Sequence, residues 1–93
     1  MSNKKRVVFI VNPISGTHSK DALPTLIENR LDSQSFDSSI VYTEYAGHAT
    51  EIARQLAAEH VDIVAAVGGD GTVNEVARAL VHTQSALDIV PCG

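Results

Sequence analysis

The sequence of 93 residues lacks several features that mark common classes of protein. It has one cysteine, Cys92, so an internal disulfide is excluded and a reducing compartment is favoured. No apolar run approaches the length of a membrane span, and the run after the first basic residues, Val7 to Val11, is too short for a secretory signal. We therefore expect a cytoplasmic protein.

Basic residues and metal-ligand patterns are also scarce. There are 7 Lys and Arg against 11 Asp and Glu, and the formal net charge of -4 argues against nucleic acid as a partner. The 4 histidines share no metal-ligand spacing with each other or with Cys92, so a zinc site is not expected. The Walker-type P-loop sequence is missing, and Asn74 stands where a dinucleotide fingerprint has its third glycine.

Apolar runs of strand length alternate with amphipathic segments along the chain. Such runs indicate strands buried on both faces of a parallel sheet, and short connections in this order imply an α/β fold that binds ligands at the carboxyl ends of its strands. Residues 33–39 are predicted to form a turn. The predicted strands are residues 7–11, 39–43, 63–67 and 87–90, and the predicted helices run from 19–22 to about 31, from 49 to about 60, and from 73 to 80.

The most informative stretch links the third strand to the third helix, and reads Gly68-Gly69-Asp70-Gly71-Thr72. Backbone N–H groups at a helix start are unpaired and lie at the positive end of the helix dipole, and glycines let an anion approach them. The stretch therefore predicts a phosphate site. The structural alternative is a tight turn in which glycine supplies positive φ, as we expect at Gly71.

Asp70 sharpens this prediction because a carboxylate among phosphate-binding amides would repel an anion. Either a divalent cation lies between the two groups, or the carboxylate faces a hydroxyl that must lose a proton. Both options indicate phosphoryl transfer rather than simple dinucleotide binding.

Two helix starts also have structural interpretations. Thr72-Val-Asn-Glu75 fits a capping box, so Glu75 is interpreted as a helix cap rather than a catalytic acid. Thr72 and Asn74 could both cap the helix and face the phosphate. His48, which follows Gly47, is interpreted as a cap-region residue rather than a base or a ligand.

The loops after the first two strands carry hydrogen-bonding groups that suit a nucleotide. Asn12 can donate and accept, and Ser15 and Thr43 offer hydroxyls. Gly16 allows close backbone approach. Each residue also has an ordinary interpretation, because Asn-Pro and Ser-Gly are common in turns.

Together these elements resemble the catalytic domain of diacylglycerol kinases and of the bacterial lipid kinases grouped with them. Their order and spacing cover the whole chain, whereas the Gly-Gly-Asp-Gly element alone would also fit NAD kinases and phosphofructokinases. The matching elements are Val11-Asn-Pro-Ile-Ser-Gly16, Thr43 with Gly47-His-Ala-Thr-Glu51, Gly68-Gly-Asp-Gly-Thr-Val-Asn-Glu75 and Pro91-Cys-Gly93.

The resemblance implies a Rossmann-like, three-layer parallel α/β fold, similar to that of NAD kinases and phosphofructokinases, with ATP along three of the loops. It also implies that Asp70 is catalytic and belongs to a magnesium and water network near the transferred phosphate. The residues that it implies for nucleotide binding are Asn12, Pro13, Ile14, Ser15, Gly16, Thr43, Gly68, Gly69, Asp70, Gly71, Thr72, Val73 and Asn74.

Members of this family continue with a Ser/Thr-x-Asn stretch and a β-rich second domain that holds lipid and supplies a proton-accepting carboxylate. We therefore expect residues 1–93 to be the N-terminal part of the ATP-binding domain, inactive alone and prone to self-association. The full-length protein is expected to transfer the γ-phosphoryl group of ATP to a lipid hydroxyl, such as that of diacylglycerol, at the membrane surface. The alternatives are an NAD kinase-like phosphotransferase and a non-catalytic nucleotide-binding or assembly module.

Overall fold

The computed structural model of the chain describes residues 4–12 and 34–91. The first predicted helix, the predicted ligand residues Pro13, Ile14, Ser15 and Gly16, and Cys92 lie outside the described residues. The strands are β1 (Lys5–Val11), β2 (Phe36–Tyr42), β3 (Ile63–Gly68) and β4 (Ala86–Pro91), and the helices are α1 (His48–Ala58) and α2 (Asp70–Leu80).

The four strands form one parallel sheet in the order β2-β1-β3-β4. β1 and β3 are the central strands, and their apolar residues from Val7 to Val11 and from Val64 to Val67 are buried. This burial is expected for strands that are covered on both faces. The predicted parallel α/β fold is confirmed.

Alternate residues of the central strands belong to two apolar clusters, because successive side chains of a strand point to opposite faces. Val8 and Ile10 lie on the face that packs against α1 and α2. The small side chains of Ala49 and Ala53, 2% and 0% exposed, let α1 approach the sheet closely. The opposite cluster contains Val7, Phe9, Val11, Ala65, Val67 and Val90.

The order of the strands reverses between β1 and β3. β2 lies on one side of β1, and the connection through α1 brings β3 to the other side, where Val11 is paired with Val67. The carboxyl ends of β1 and β3 are therefore neighbours. Ligands of open parallel sheets bind in the crevice at this kind of reversal.

Two predicted boundaries are wrong, and both concern polar or glycine-rich segments. Most of the segment predicted as a turn belongs to β2, whose residues Phe36 to Ser39 pair with β1; an edge strand tolerates such polar residues because it is partly solvated. α2 begins at Asp70 rather than Val73, since Gly69 is extended and forms the N-cap. The other ends differ from the prediction by at most two residues.

The edge strand β4 exposes two large apolar side chains. Leu87 is 38% exposed and Ile89 is 46% exposed, and both lie in register with residues of β3 that face the helices. Self-association through this edge stays a prediction. Within residues 4–12 and 34–91, no helix has the length and apolar character needed to cross a membrane.

Candidate functional site

A cavity of about 290 Å³ lies at the carboxyl ends of the strands, where the strand order reverses. Its wall comes from the residue after β1, the segment after β2, the first turn of α1 and the first two turns of α2. The lining residues are Asn12, Thr43, Glu44, Tyr45, Ala46, Ala49, Thr72 and Glu75.

Three residues predicted to bind nucleotide therefore come together around one cavity. Asn12 follows β1, Thr43 follows β2, and Thr72 lies in the first turn of α2, although the first two are 31 positions apart and the last two 29 positions apart in this sequence. The backbone N–H of Thr43 donates to the carbonyl of Val11 at 2.9 Å, which fixes the segment after β2 beside the end of β1. Thr72 is only 5% exposed.

The glycine-rich stretch lies beside this cavity and forms the end of β3 and the start of α2. Gly68 has a φ of 146°, which favours glycine, and Gly69 is extended with φ −83° and ψ −175°. Asp70, Gly71 and Asn74 are exposed on α2. Val73 packs against the core and is half-buried, so its side chain has a structural role.

The prediction of positive φ at Gly71 is wrong, because this residue lies within the first turn of α2. A Cβ added at Gly69 or Gly71 would meet no heavy atom within 4 Å in the described part of the chain. Neither backbone conformation nor internal packing there requires glycine at these two positions. Their missing side chains leave open space at the helix start.

The predicted capping box is also wrong. α2 starts at Asp70, so Thr72 lies inside its first turn, and its N-cap Gly69 makes no side-chain cap hydrogen bond. The first amides of the helix consequently keep their capacity to donate to another acceptor. Asp70 adds an exposed carboxylate, which forms no hydrogen bond or ion pair with another described residue.

Glu75 is the site residue that the sequence interpretation missed. Its Oε1 atom is buried and has no hydrogen-bond partner among the described residues, and the residue lines the cavity. A buried carboxylate oxygen without a partner costs about 1–3 kcal/mol or more. The sequence spacing could have indicated that Glu75 belongs to the site, since Thr72 and Glu75 are three residues apart and lie on the same face of a helix.

The outer rim of the cavity is held by contacts between side chains of the loop and α1. The rings of Tyr45 and His48 stack with their centroids 4.3 Å apart and their planes at 15°. The Tyr45 hydroxyl donates to a carboxylate oxygen of Glu51, and this hydrogen bond, followed by partial desolvation and by the charges of Glu51 and Glu44, raises the pKa of Tyr45 above its ordinary value of 10.0. The backbone N–H of Glu44 donates to Nδ1 of His48 at 2.9 Å.

A cavity at the strand-order reversal of a parallel sheet, next to an uncapped helix start, is typical of α/β domains that bind ligands. The model of the family described as "Diacylglycerol kinase catalytic domain" matches residues 6–93. The chain therefore belongs to the diacylglycerol kinase catalytic domain family.

Individual relatives agree with this assignment. A diacylglycerol kinase of Staphylococcus saprophyticus is 36% identical over 93 residues, which cover 97% of this chain and 30% of the relative. Sphingoid long chain base kinase 5 of Saccharomyces cerevisiae is 33% identical, with 96% of this chain and 14% of the relative covered. A crystal structure of a diacylglycerol kinase from Bacillus anthracis is 32% identical with a TM-score of 0.74, over 96% of this chain and 33% of that one.

The chain thus spans about a third of these bacterial relatives. The family match favours a lipid kinase catalytic domain over the NAD kinase-like alternative.

Proposed function

We propose that this chain forms the first part of the ATP-binding domain of a lipid kinase, which transfers the γ-phosphoryl group of ATP to a hydroxyl of a diacylglycerol-like lipid. The observation that carries the proposal is the start of α2. Its N-cap supplies no side-chain acceptor, and Gly69 and Gly71 leave open space that the described residues do not use. Free amides and open space together suit the phosphates of a nucleotide.

The adjoining cavity suits the nucleoside end of the ligand. Thr43 offers a hydroxyl, and Asn12 offers an amide that both donates and accepts. The unpartnered Oε1 of Glu75 can accept a hydrogen bond from a ribose hydroxyl or from the amino group of the base. Ligand pockets commonly measure about 300–1,000 Å³, so the cavity has room for part of a nucleotide, and the phosphates would extend over α2.

The charge of this region supports a role for Mg²⁺. It contains the carboxylates of Glu44, Asp70 and Glu75, and no Lys or Arg is among the described residues that line the cavity. Across residues 4–12 and 34–91, no three His, Cys, Asp or Glu side chains are grouped to hold a metal. We infer that Asp70 would hold Mg²⁺ through water beside the phosphates of ATP, since Mg²⁺ commonly binds through one or two carboxylates together with substrate phosphates. Bound there, the ion would neutralise phosphate charge during transfer.

In the proposed reaction, the lipid hydroxyl oxygen attacks the γ-phosphorus, the bond to the bridging oxygen breaks, and ADP leaves. The residues of the site bind and orient ATP, so their contribution is positioning and charge stabilisation. The proton of the lipid hydroxyl passes to a carboxylate that we place in a second, lipid-binding domain, as the resemblance to the family implies. On this proposal, residues 1–93 bind ATP weakly and phosphorylate no lipid.

Gly71→Asp tests the assignment of the α2 start. Aspartate is compatible with the first turn of a helix, but its carboxylate would occupy the phosphate space and add negative charge. We expect a fluorescent ATP analogue with Mg²⁺ to bind the wild-type chain and not the variant, while the circular dichroism spectrum is unchanged. Gln84→Asp is the matched control, since it adds the same charge at an exposed position outside the cavity.

Equal binding by the two variants and the wild type would contradict the phosphate site. Binding that is independent of Mg²⁺ would contradict the role of Asp70. Nucleotide binding by the wild type, combined with no phosphoryl transfer to lipid in any longer form of the protein, would favour the non-catalytic nucleotide-binding module.

A further inference from the structure

His48 makes three contacts with the segment between β2 and α1, of which residues 43–46 line the cavity. Its Nδ1 accepts the backbone N–H of Glu44 at 2.9 Å, and its own backbone N–H donates to the carbonyl of Tyr45 at 3.1 Å. Its ring stacks on the ring of Tyr45. One side chain therefore holds the backbone and the exposed aromatic ring of the cavity rim.

The hydrogen bond from Glu44 determines the chemical form of this histidine. A backbone N–H can only donate, so Nδ1 must present its lone pair, and the proton of the neutral ring lies on Nε2. His48 is not among the residues that line the cavity. Any influence of His48 on a ligand must therefore pass through Glu44 and Tyr45, which do line the cavity.

The rest of the rim has few other hydrogen bonds in the described structure. The N–H of Thr43 continues the strand ladder by donating to Val11, and the Tyr45 hydroxyl donates to Glu51. Between these two attachments lies the peptide group that joins Thr43 to Glu44. Among the described residues, its N–H forms one hydrogen bond, to Nδ1 of His48. Gly47, with a φ of 87°, then turns the chain into α1.

We propose that His48 is a positioning residue for the nucleotide cavity, which sets the conformation of residues 44–46 through its Nδ1 acceptor and does not touch the ligand. This proposal rests on the proposed nucleotide function of the same cavity. It separates two roles of one side chain: the acceptor positions the backbone, and the ring supports Tyr45.

Three variants separate the acceptor from the ring. His48→Asn places an amide oxygen close to the position of Nδ1 but removes the ring; His48→Phe keeps a ring but removes the acceptor; His48→Ala removes both. We expect the dissociation constant of the fluorescent ATP analogue to rise about fivefold in His48→Phe and in His48→Ala, the size that one lost hydrogen bond implies. His48→Asn should stay within about twofold of the wild type, because its acceptor is retained.

Thermal melting and amide exchange give readouts that do not depend on ligand. We expect the Glu44 amide to exchange slowly in the wild type and in His48→Asn, and quickly in the other two variants. Arg54→Ala is the matched control on α1, since Arg54 is exposed and outside the cavity wall. It should change neither exchange at Glu44 nor nucleotide affinity.

The outcomes distinguish this proposal from the proposed function. If the wild type binds nucleotide and His48→Phe binds it equally well, or if His48→Asn is as weak as His48→Ala, the positioning role is overturned. If the wild type binds no nucleotide, the proposed function fails and the positioning role for a nucleotide fails with it. In that case, slow exchange at Glu44 that His48→Phe abolishes would still support the role of His48 in fixing residues 44–46, whereas exchange that His48→Phe leaves unchanged would overturn that role as well.

Discussion

The two helices have the same kind of N-cap, but the conformation of the two N-caps and the side-chain contacts beside them differ. Each follows a strand of the same parallel sheet, each has a glycine at its N-cap, and neither has a side-chain cap. At α1, Gly47 is required by its φ of 87°, and the preceding loop is filled by contacts between Tyr45, His48 and Glu51. At α2, Gly69 has ordinary extended backbone angles, and because an added Cβ would meet no heavy atom within 4 Å at either N-cap glycine, the two differ in backbone conformation and not in local space.

The difference teaches how to separate a conformational glycine from one that keeps space for a ligand. Where φ is positive, the fold itself explains the glycine. Where φ is ordinary and an added Cβ would meet no heavy atom, the described residues do not explain why the position is glycine. The first-turn acids follow the same division, since Glu51 accepts a hydrogen bond within the rim and Asp70 makes none with the described residues.

The sharpest test compares these two acids. Asp70→Asn should reduce lipid phosphorylation by a full-length protein carrying this domain by about a thousandfold, within the range expected for loss of an acid–base or metal-holding group, while the fold is kept because Asp70 is exposed. Glu51→Gln retains an acceptor for Tyr45 and should change the rate only a few-fold, roughly as expected for one weakened hydrogen bond. Radiolabelled phosphate transfer measured across a magnesium titration checks both. Full activity of Asp70→Asn at every magnesium concentration would make Asp70 a simple helix-start residue.

A second test concerns Glu75 on α2, whose Oε1 has no hydrogen-bond partner among the described residues. Glu75→Leu should raise the free energy of unfolding by about 1 kcal/mol, because it removes a buried, unsatisfied oxygen, and it should weaken nucleotide binding by about tenfold, since a ligand donor loses its acceptor. Glu75→Gln keeps an acceptor oxygen and should retain most of the affinity. Chemical denaturation and nucleotide titration measure the two effects separately. If Glu75→Leu were less stable than the wild type and bound nucleotide with the same affinity, the proposed role of Glu75 in ligand binding would be contradicted.

The third test adds one methyl group at each helix start. Gly47→Ala should destabilise the chain by about 1–2 kcal/mol, because alanine disfavours a left-handed backbone. Gly71→Ala should stabilise it by about 0.5 kcal/mol, since alanine favours a helix, and should weaken nucleotide binding by crowding the phosphates. Denaturant unfolding with and without ATP measures both. If the two substitutions changed stability in the same direction, the distinction between the helix starts would be lost.

Much of the fold could be predicted from the sequence because its strands are apolar and its helices are amphipathic. The central strands were located to within two residues, since buried parallel strands read as continuous runs from Val7 to Val11 and from Ile63 to Val67. The start of β2 was missed because Asp37 and Ser38, which separate Phe36 from the predicted strand, carry no apolar signal on an edge strand. The predicted positions of residues 13–33 lie outside the described residues.

The candidate site was harder to predict because the roles of its residues depend on where α2 begins. If α2 began at Val73, Thr72 and Glu75 would form a capping pair. Because α2 begins at Asp70, both residues lie inside the helix, where they line the cavity. Asn12 and Thr43 were identified because loops at the carboxyl ends of parallel strands converge. The contacts of His48 with Glu44 and Tyr45 depend on a side-chain orientation that no local pattern specifies.

Ala49 belongs both to the apolar core under α1 and to the wall of the cavity. Because it is 2% exposed and carries a single methyl group, any larger side chain must displace α1 from the sheet or fill the cavity. The next residue, Thr50, donates to the carbonyl of Glu75 at 3.2 Å, so a displacement of α1 would also strain its contact with α2. A larger side chain at this one position therefore changes either the packing of α1 against the sheet or the volume of the cavity, so the core and the candidate site share a single methyl group.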